Sequence, residues 1–295
     1  MSAVSRLDTL ATVHPEWSAW LRVVRLVAAE LSNPAWDRYL PRTGAASDLV
    51  PVLAGAALRP DGLAVAQLME RLLSAARAQG LHGLAGKAKS AKAMAADEAL
   101  AVFLGAVNGD LTLLDGQATR IGASPSGFRA LAQLLPMPYL HACARQWAAN
   151  HSGSNWSQGY CPVCGAWPAL AEVRGIERVR HLRCGRCGAG WPMPALACTY
   201  CATTDHDILG TLVVDDNLPR FAVDTCNGCC GYLKSFTTLQ ATPSDEIIAI
   251  DLESIAFDLA AVERGFLRPA DPGVALNASL DAAEAAPRAL GRWWS

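Results

Sequence analysis

The sequence predicts a multi-domain α+β chain: an all-α helical domain over residues 1–154, a double metal-binding module over 155–240, and a C-terminal helix and tail over 241–295. Three observations predict it. Apolar residues recur at spacings of three and four through the N-terminal half, the period of helices that bury one face. Nine of the ten cysteines fall between Tyr160 and Lys234, eight of them as four Cys-x-x-Cys pairs. Between those pairs the apolar pattern switches to period two, which reads as strand.

The bulk composition sets limits. At 295 residues with 52% hydrophobic and 18% charged side chains, the chain can bury a real core and is not of the disordered class. A net charge of −2 supplies no basic field, so nucleic acid is not an expected partner. Arg6 and Asp8 interrupt the opening residues before a signal-peptide core could form, and no twin arginine follows. The apolar run from Leu49 to Leu58 is short and contains Pro51, so no membrane span is expected. These features point to the cytoplasm, where reduced cysteines serve as metal ligands rather than disulfides.

Taken in order, Trp17, Trp20, Leu21, Val24, Ala28 and Leu31 form the first stripe, with Pro15 near its start and Asn33-Pro34 ending it. Residues 41–47 read as a loop, and a second helix is expected to begin near Asp48. A third spans Gly62 to Ala78, with Gly80 past its end. Residues 83–92, rich in glycine and lysine, read as a connection. Asp97 is placed as the cap of the next helix, which carries Leu100, Phe103, Leu104 and Val107 on one face and closes at Gly109. Further helices are expected over Leu111 to Ile121, after Ser124-Pro125-Ser126, and from Tyr139 to Asn150. The turn-rich Ser152-Gly153-Ser154-Asn155 marks the domain boundary.

The four pairs are Cys161/Cys164, Cys184/Cys187, Cys198/Cys201 and Cys226/Cys229. Two intervening residues let one tight turn aim both sulfurs at a single ion, and two such knuckles supply the four thiolates that suit tetrahedral zinc or iron. Gly165 and Gly188 follow the second cysteine in the first two knuckles, where a left-handed residue helps the turn; CTYCA and CNGCC lack that glycine. Strand patterns fall at Ala169 to Val173, Val179 to Leu182, Ile208 to Val214, Phe221 to Val223 and Tyr232 to Leu239, with a turn at Asp215-Asp216-Asn217. Knuckle, hairpin, knuckle is the layout of a rubredoxin-like or zinc-ribbon module. Sequential pairing gives one site over about 160–190 and a second over about 195–235; nested pairing ranks second. The metal is expected to be structural. Thiolate binding contributes about 10–16 kcal/mol in small metal-folded units, so a chelator should melt 160–240 and leave the helices intact.

Other residues carry weaker signals. Cys143 reads as a core cysteine, and Cys230 as a strand-side residue rather than a spare ligand. His181 and His206 read as surface or outer-shell groups, since eight cysteines already suffice. Arg174, Arg178, Arg180, Arg183 and Arg186 suggest a docking patch, but a solvated hairpin is the preferred reading. Trp156, Trp167 and Trp191 are expected to pack over the metal sites. Beyond Pro243, Ile248, Leu252, Ile255, Leu259 and Val262 mark one helix face ended by Gly265, with Asp251 and Asp258 taken as solvent-facing. The tail from Pro269 reads as loosely held, with Trp293 and Trp294 able to dock. No triad, carboxylate pair in a cleft or phosphate loop is present, so no enzymatic activity is expected.

Several passages together resemble the FdhE family, the accessory proteins of formate dehydrogenase. They are CPVCGAWP at 161–168, RHLRCGRCGAGW at 180–191, ACTYC at 197–201, DTCNGCCGYLK at 224–234 and DLESIAFDLAAVERGF at 251–266. Cys230 departs from the family, which commonly has a polar or basic residue there. The resemblance implies a cytoplasmic, non-catalytic maturation factor that binds the catalytic subunit of a respiratory formate dehydrogenase before export. It also implies iron in two rubredoxin-like four-cysteine sites, with zinc as the alternative, and allows a homodimer. Two other readings compete: a zinc-ribbon protein that binds nucleic acid, and a rubredoxin-like electron carrier.

Overall fold

The computed structural model describes residues 2–41, 48–86, 94–151, 155–212 and 220–281. The expected loop at 42–47, most of the lysine-rich connection, the linker at 152–154, the Asp215-Asp216-Asn217 turn and the two terminal tryptophans lie outside these residues.

Helices build the N-terminal half: α1 (Ala3–Val13), α2 (Ser18–Ala28), α3 (Gly62–Ala78), the single turn α4 (His82–Ala85), α5 (Ala96–Asn108), α6 (Leu111–Ile121), α7 (Pro125–Ala132) and α8 (Met137–Asn150). Local chemistry fixes their ends. The Asp61 side chain accepts from the Leu63 and Ala64 N–H groups, Asp110 from Leu113 and Ser124 from Gly127. Gly109 and Gly122 close α5 and α6 in the left-handed conformation. Helix α1, whose Leu7 and Leu10 are buried, adds to the helices expected from sequence. Asp97 lies in the first turn of α5 rather than at its cap, which is Ala95. The helix expected near Asp48 is absent. Residues 48–56 form bends and turns instead, because their N–H groups bond elsewhere: Val52 to the Pro162 carbonyl, Leu53 to Val163 and Gly55 to Leu276.

The cysteine-rich segment folds into one six-stranded sheet. Its strands are β2 (Leu170–Arg174), β3 (Val179–Arg183), β4 (Gly190–Pro192), β5 (Leu209–Leu212), β6 (Phe221–Cys226) and β7 (Gly231–Thr238), in the order β4-β3-β2-β7-β6-β5. Each half is an antiparallel ribbon, and the halves join where β2 runs parallel to β7, with Leu170 opposite Lys234 and Arg174 opposite Thr238. The two ribbons are thus halves of a continuous sheet rather than beads on a string. A second, two-stranded sheet pairs β1 (Ala57–Leu58) in parallel with β8 (Ser279–Leu280).

One apolar core spans the two halves of the chain. Phe103, Phe128, Leu140 and Cys143 from the helices share it with Cys161, Val163, Leu182, Cys184, Cys187 and Trp191 from the first ribbon. A second core packs Leu170, Phe221, Val223 and Phe236 of the sheet against Ile247, Ile250, Phe257 and Ala261. The latter come from α9 (Ile247–Glu253) and α10 (Ile255–Glu263), which replace the single helix expected there. The break lies at Ser254, whose Oγ donates back to the Ile250 and Asp251 carbonyls. It rotates the burial pattern, so that Phe257, Ala260 and Ala261 face inward while Leu259 and Val262 are exposed.

Residues 274–281 of the tail form a strap and not a loose end, while the tail beyond 281 lies outside the described residues. Val274 donates to the Gly165 carbonyl, Ser279 to Ala56 and Asp281 to Leu58, while the Asn108 amide both donates to and accepts from Ala278.

Candidate metal centres

The four knuckles adopt one conformation. The residue after the second cysteine is left-handed in each: Gly165 at φ 66°, Gly188 at 71°, Ala202 at 59° and Cys230 at 55°. In the first three, that residue's N–H bonds the carbonyl of the first cysteine at 3.0 Å. Cys230 therefore stands where two of the other knuckles have glycine, at a conformation that disfavours a Cβ.

Strand register then gathers the sulfurs in chain order. Cys161, Cys164, Cys184 and Cys187 form one group and Cys198, Cys201, Cys226 and Cys229 the other, each with all four sulfurs within 4.8 Å of one another. The Cys161–Cys187 sulfur–sulfur distance is 3.4 Å, Cys164–Cys184 3.5 Å, Cys198–Cys229 3.6 Å and Cys201–Cys226 3.8 Å. For a metal–sulfur distance of about 2.3 Å, the edge of a regular tetrahedron is about 3.8 Å. Both cages are thus close to the size one tetrahedral ion needs, and far wider than a disulfide. The Val163 N–H points at Cys161 Sγ from 3.4 Å. In the first cage, burial raises the Cys161 and Cys187 thiols, whereas donors from the neighbouring sulfurs hold Cys164 well below the ordinary thiol range. A cation at the centre would let all four ionise. Either cluster could hold a metal ion; the donor set accepts iron and zinc alike.

The surroundings differ from the sequence reading at several points. Among the arginines only Arg178 sits exposed at the β2–β3 turn. Arg183 and Arg174 both reach the buried Glu172 carboxylate, which also accepts from the Thr242 N–H at 2.6 Å. Arg180 donates to the Ala197 carbonyl, Thr199 Oγ1 and Asp224, and Arg186 to the Ala106 and Val107 carbonyls at the end of α5. The solvated-hairpin reading fails because the carboxylates and carbonyls that these guanidinium groups need lie inside the fold. Asp251 and Asp258 are likewise not solvent-facing spares. They flank the buried ammonium of Lys234 and also meet Arg268.

A series of aromatic side chains connects the first knuckle to the third. Trp156, Tyr160, Trp167 and Tyr200 pack edge to face in series, and the Tyr200 hydroxyl donates to the Tyr232 carbonyl at 2.8 Å. Trp156 and Trp191 are buried, each donating its indole N–H to a backbone carbonyl. His181 and His206 belong to neither cage, and Cys143 is buried within α8. His141 is a neighbour of the first cage that sequence reasoning misses. It is a buried imidazole of α8 whose Cε1 would lie 2.6 Å from a Cβ at Gly188, and burial, aided by Arg145, pushes its pKa down to about 3. A lone histidine in a helix gives no signal of this; only the packing of α8 on the second knuckle reveals it.

No family model matches the chain. It is 33% identical over 111 residues to a curated Haemophilus influenzae protein named "Protein FdhE homolog", covering 37% of this chain and 36% of that one. A Pseudomonas aeruginosa protein of the same name is 34% identical over 118 residues, 38% of each chain. One from Aquifex aeolicus is 29% identical over 137 residues, 44% of this chain and 46% of its own. The matches thus span less than half the length of these relatives. The crystal structure of the FdhE protein from Pseudomonas aeruginosa shares the fold, with a TM-score of 0.54 at 24% identity over 92% of this chain and 94% of that one. Over part of its length the chain is thus similar to proteins named FdhE homolog, and the structural match shows a shared fold.

Proposed function

We propose that this chain is a non-catalytic accessory protein of formate dehydrogenase, which binds the catalytic subunit of a respiratory enzyme in the cytoplasm and supports its assembly before export. The observation that carries the reading is the pair of four-cysteine clusters set in one sheet, on a fold shared over nearly the whole chain with FdhE. In this reading each cluster is a rubredoxin-like site holding one metal ion through Cys161, Cys164, Cys184 and Cys187, or through Cys198, Cys201, Cys226 and Cys229. Iron is the metal that the family resemblance favours, and zinc fits the same donors. The ions fix the knuckles, and the knuckles fix the sheet that the helical half and α9–α10 present to a partner.

One observation favours this reading over the nucleic-acid one. The arginines that might have met nucleic acid are largely committed to Glu172, Asp224 and backbone carbonyls. Among the described residues, no helix is long and apolar enough to cross a membrane.

The test is capture from cells that express formate dehydrogenase, using the metal-loaded chain as bait. Recovery of the catalytic subunit is the expected result, and its absence from the eluate would refute the reading. Changing Cys161 and Cys164 together to serine should remove one metal equivalent and weaken capture.

A further inference from the structure

The two cages share a turn but not an environment. In the first, Cys161, Cys184 and Cys187 are 0% exposed and Cys164 is 1% exposed. Several elements close over it. The loop at Val52 and Leu53 bonds the first knuckle, Val274 of the strap bonds Gly165, His141 of α8 abuts Gly188, and Arg186 reaches back to α5. A cleft of about 450 Å³ has Cys164 in its wall, yet that sulfur stays covered. In the second cage Cys198 and Cys226 are buried, but Cys201 and Cys229 are exposed, as is the neighbouring thiol Cys230. A cavity of about 250 Å³ reaches the same cage, lined by Cys198, Cys226 and Tyr200 among others.

We propose that the second cluster is a metal-exchange site, which loads and releases a thiophilic divalent ion by ligand substitution with thiols from solution, while the first keeps its ion as part of the core. The proposal rests on the reading that each cluster holds a metal. Access to a thiolate site, set by the shell around it, controls exchange as strongly as the ligands do. In the substitution, an incoming thiol loses its proton as its sulfur bonds the metal. The departing Cys229 thiolate takes up that proton, and the oxidation state of the metal does not change. Repeating the step at Cys201 frees half the coordination sphere before either buried sulfur has to move. The first cage offers no such sequence, because all four of its cysteines are buried in the core, and exchange there requires that core to open.

The experiment uses the full chain loaded with zinc, a chromophoric chelator to trap released ions, and reduced glutathione as the incoming thiol. The expected trace has two equal phases, with the first zinc lost about tenfold or more faster than the second, and with glutathione accelerating the first alone. A Cys201→Ser/Cys229→Ser variant, altered only at exposed positions, should hold one zinc, keep its helical circular dichroism and show the slow phase only. Two zinc ions leaving in a single phase, or a fast phase that survives in the variant, would overturn the exchange assignment. Fewer than two zinc ions before the challenge would instead overturn the two-metal reading on which it stands.

Discussion

The Lys234 ammonium lies 2.7 Å from the Asp258 carboxylate, joining the central strand β7 to helix α10 beneath the surface. Asp251 completes the cradle, with a carboxylate oxygen at 2.8 Å and a backbone carbonyl at 2.7 Å. Breaking a buried pair on one side is costly, whereas replacing it with apolar groups often is not. Lys234→Ala should therefore lower stability by about 2–3 kcal/mol in urea unfolding, since it leaves two part-buried carboxylates to Arg268. Lys234→Met combined with Asp258→Leu should recover a large part of that loss, and a strictly additive double mutant would contradict the coupling.

Glu172 anchors the other half of the sheet. Burial alone would raise its carboxyl, yet Arg174, Arg183 and the Thr242 N–H hold it below the ordinary carboxylate range. A depressed folded value means that the unfolded chain binds the proton first. The stabilisation is therefore complete above the unfolded carboxylate pKa and disappears as pH falls through the folded one. Glu172→Gln should destabilise the protein at neutral pH by about 3 kcal/mol, because Arg183 stays buried without its counter-charge. The same variant should flatten the acid limb of a stability-versus-pH curve, and an unchanged limb would count against the assignment.

Two knuckles carry a side chain where the turn favours glycine. Ala202 and Cys230 sit at φ 59° and 55°. Relieving the left-handed strain outweighs the added freedom of the unfolded chain, so Ala202→Gly and Cys230→Gly should each stabilise by about 0.5–1 kcal/mol. Both variants should keep the full metal complement in elemental analysis. Loss of a metal equivalent in Cys230→Gly would make that thiol a ligand rather than a turn residue.

Metal removal should reach beyond the cysteine-rich segment. The sequence suggests that a chelator would spare the helices, but the first cage shares its core with Phe103, Leu140 and Cys143. Exhaustive chelation under unfolding-permissive conditions should raise amide exchange in α5 and α8 together with β2 and β3. Protection that persists in α8 while the first ribbon exchanges freely would show the two cores to be separable.

What the sequence makes legible is local. Four Cys-x-x-Cys spacings place the knuckles, and alternation locates β2, β3, β6 and β7, because turns and pleats are written over a few neighbouring residues. What it hides depends on residues far apart in the chain. The β2–β7 joint is a parallel pairing between ribbons, and nothing in the alternation of Ala169 to Val173 names its partner. Arg183, Asp251 and Asp258 look like surface charge because polarity is visible in sequence and the counter-charge is not. The strap is hidden for the same reason: Ala278 and Ser279 carry no signal until Asn108 and Ala56 meet them. Ser254 breaks a helix whose periodicity alone runs on without interruption.

The parallel joint also imposes an order of events on a growing chain. The first ribbon is complete once Pro192 has been made, yet the open side of β2 has no neighbour until Gly231 to Thr238 arrive. Through that interval the nascent protein carries a bare strand edge, the kind of surface on which chains pair wrongly. With a metal in the first cage, as proposed, early filling would hold β2 in register while it waits, and the supply of metal during synthesis would bear on how much of the protein escapes misassembly.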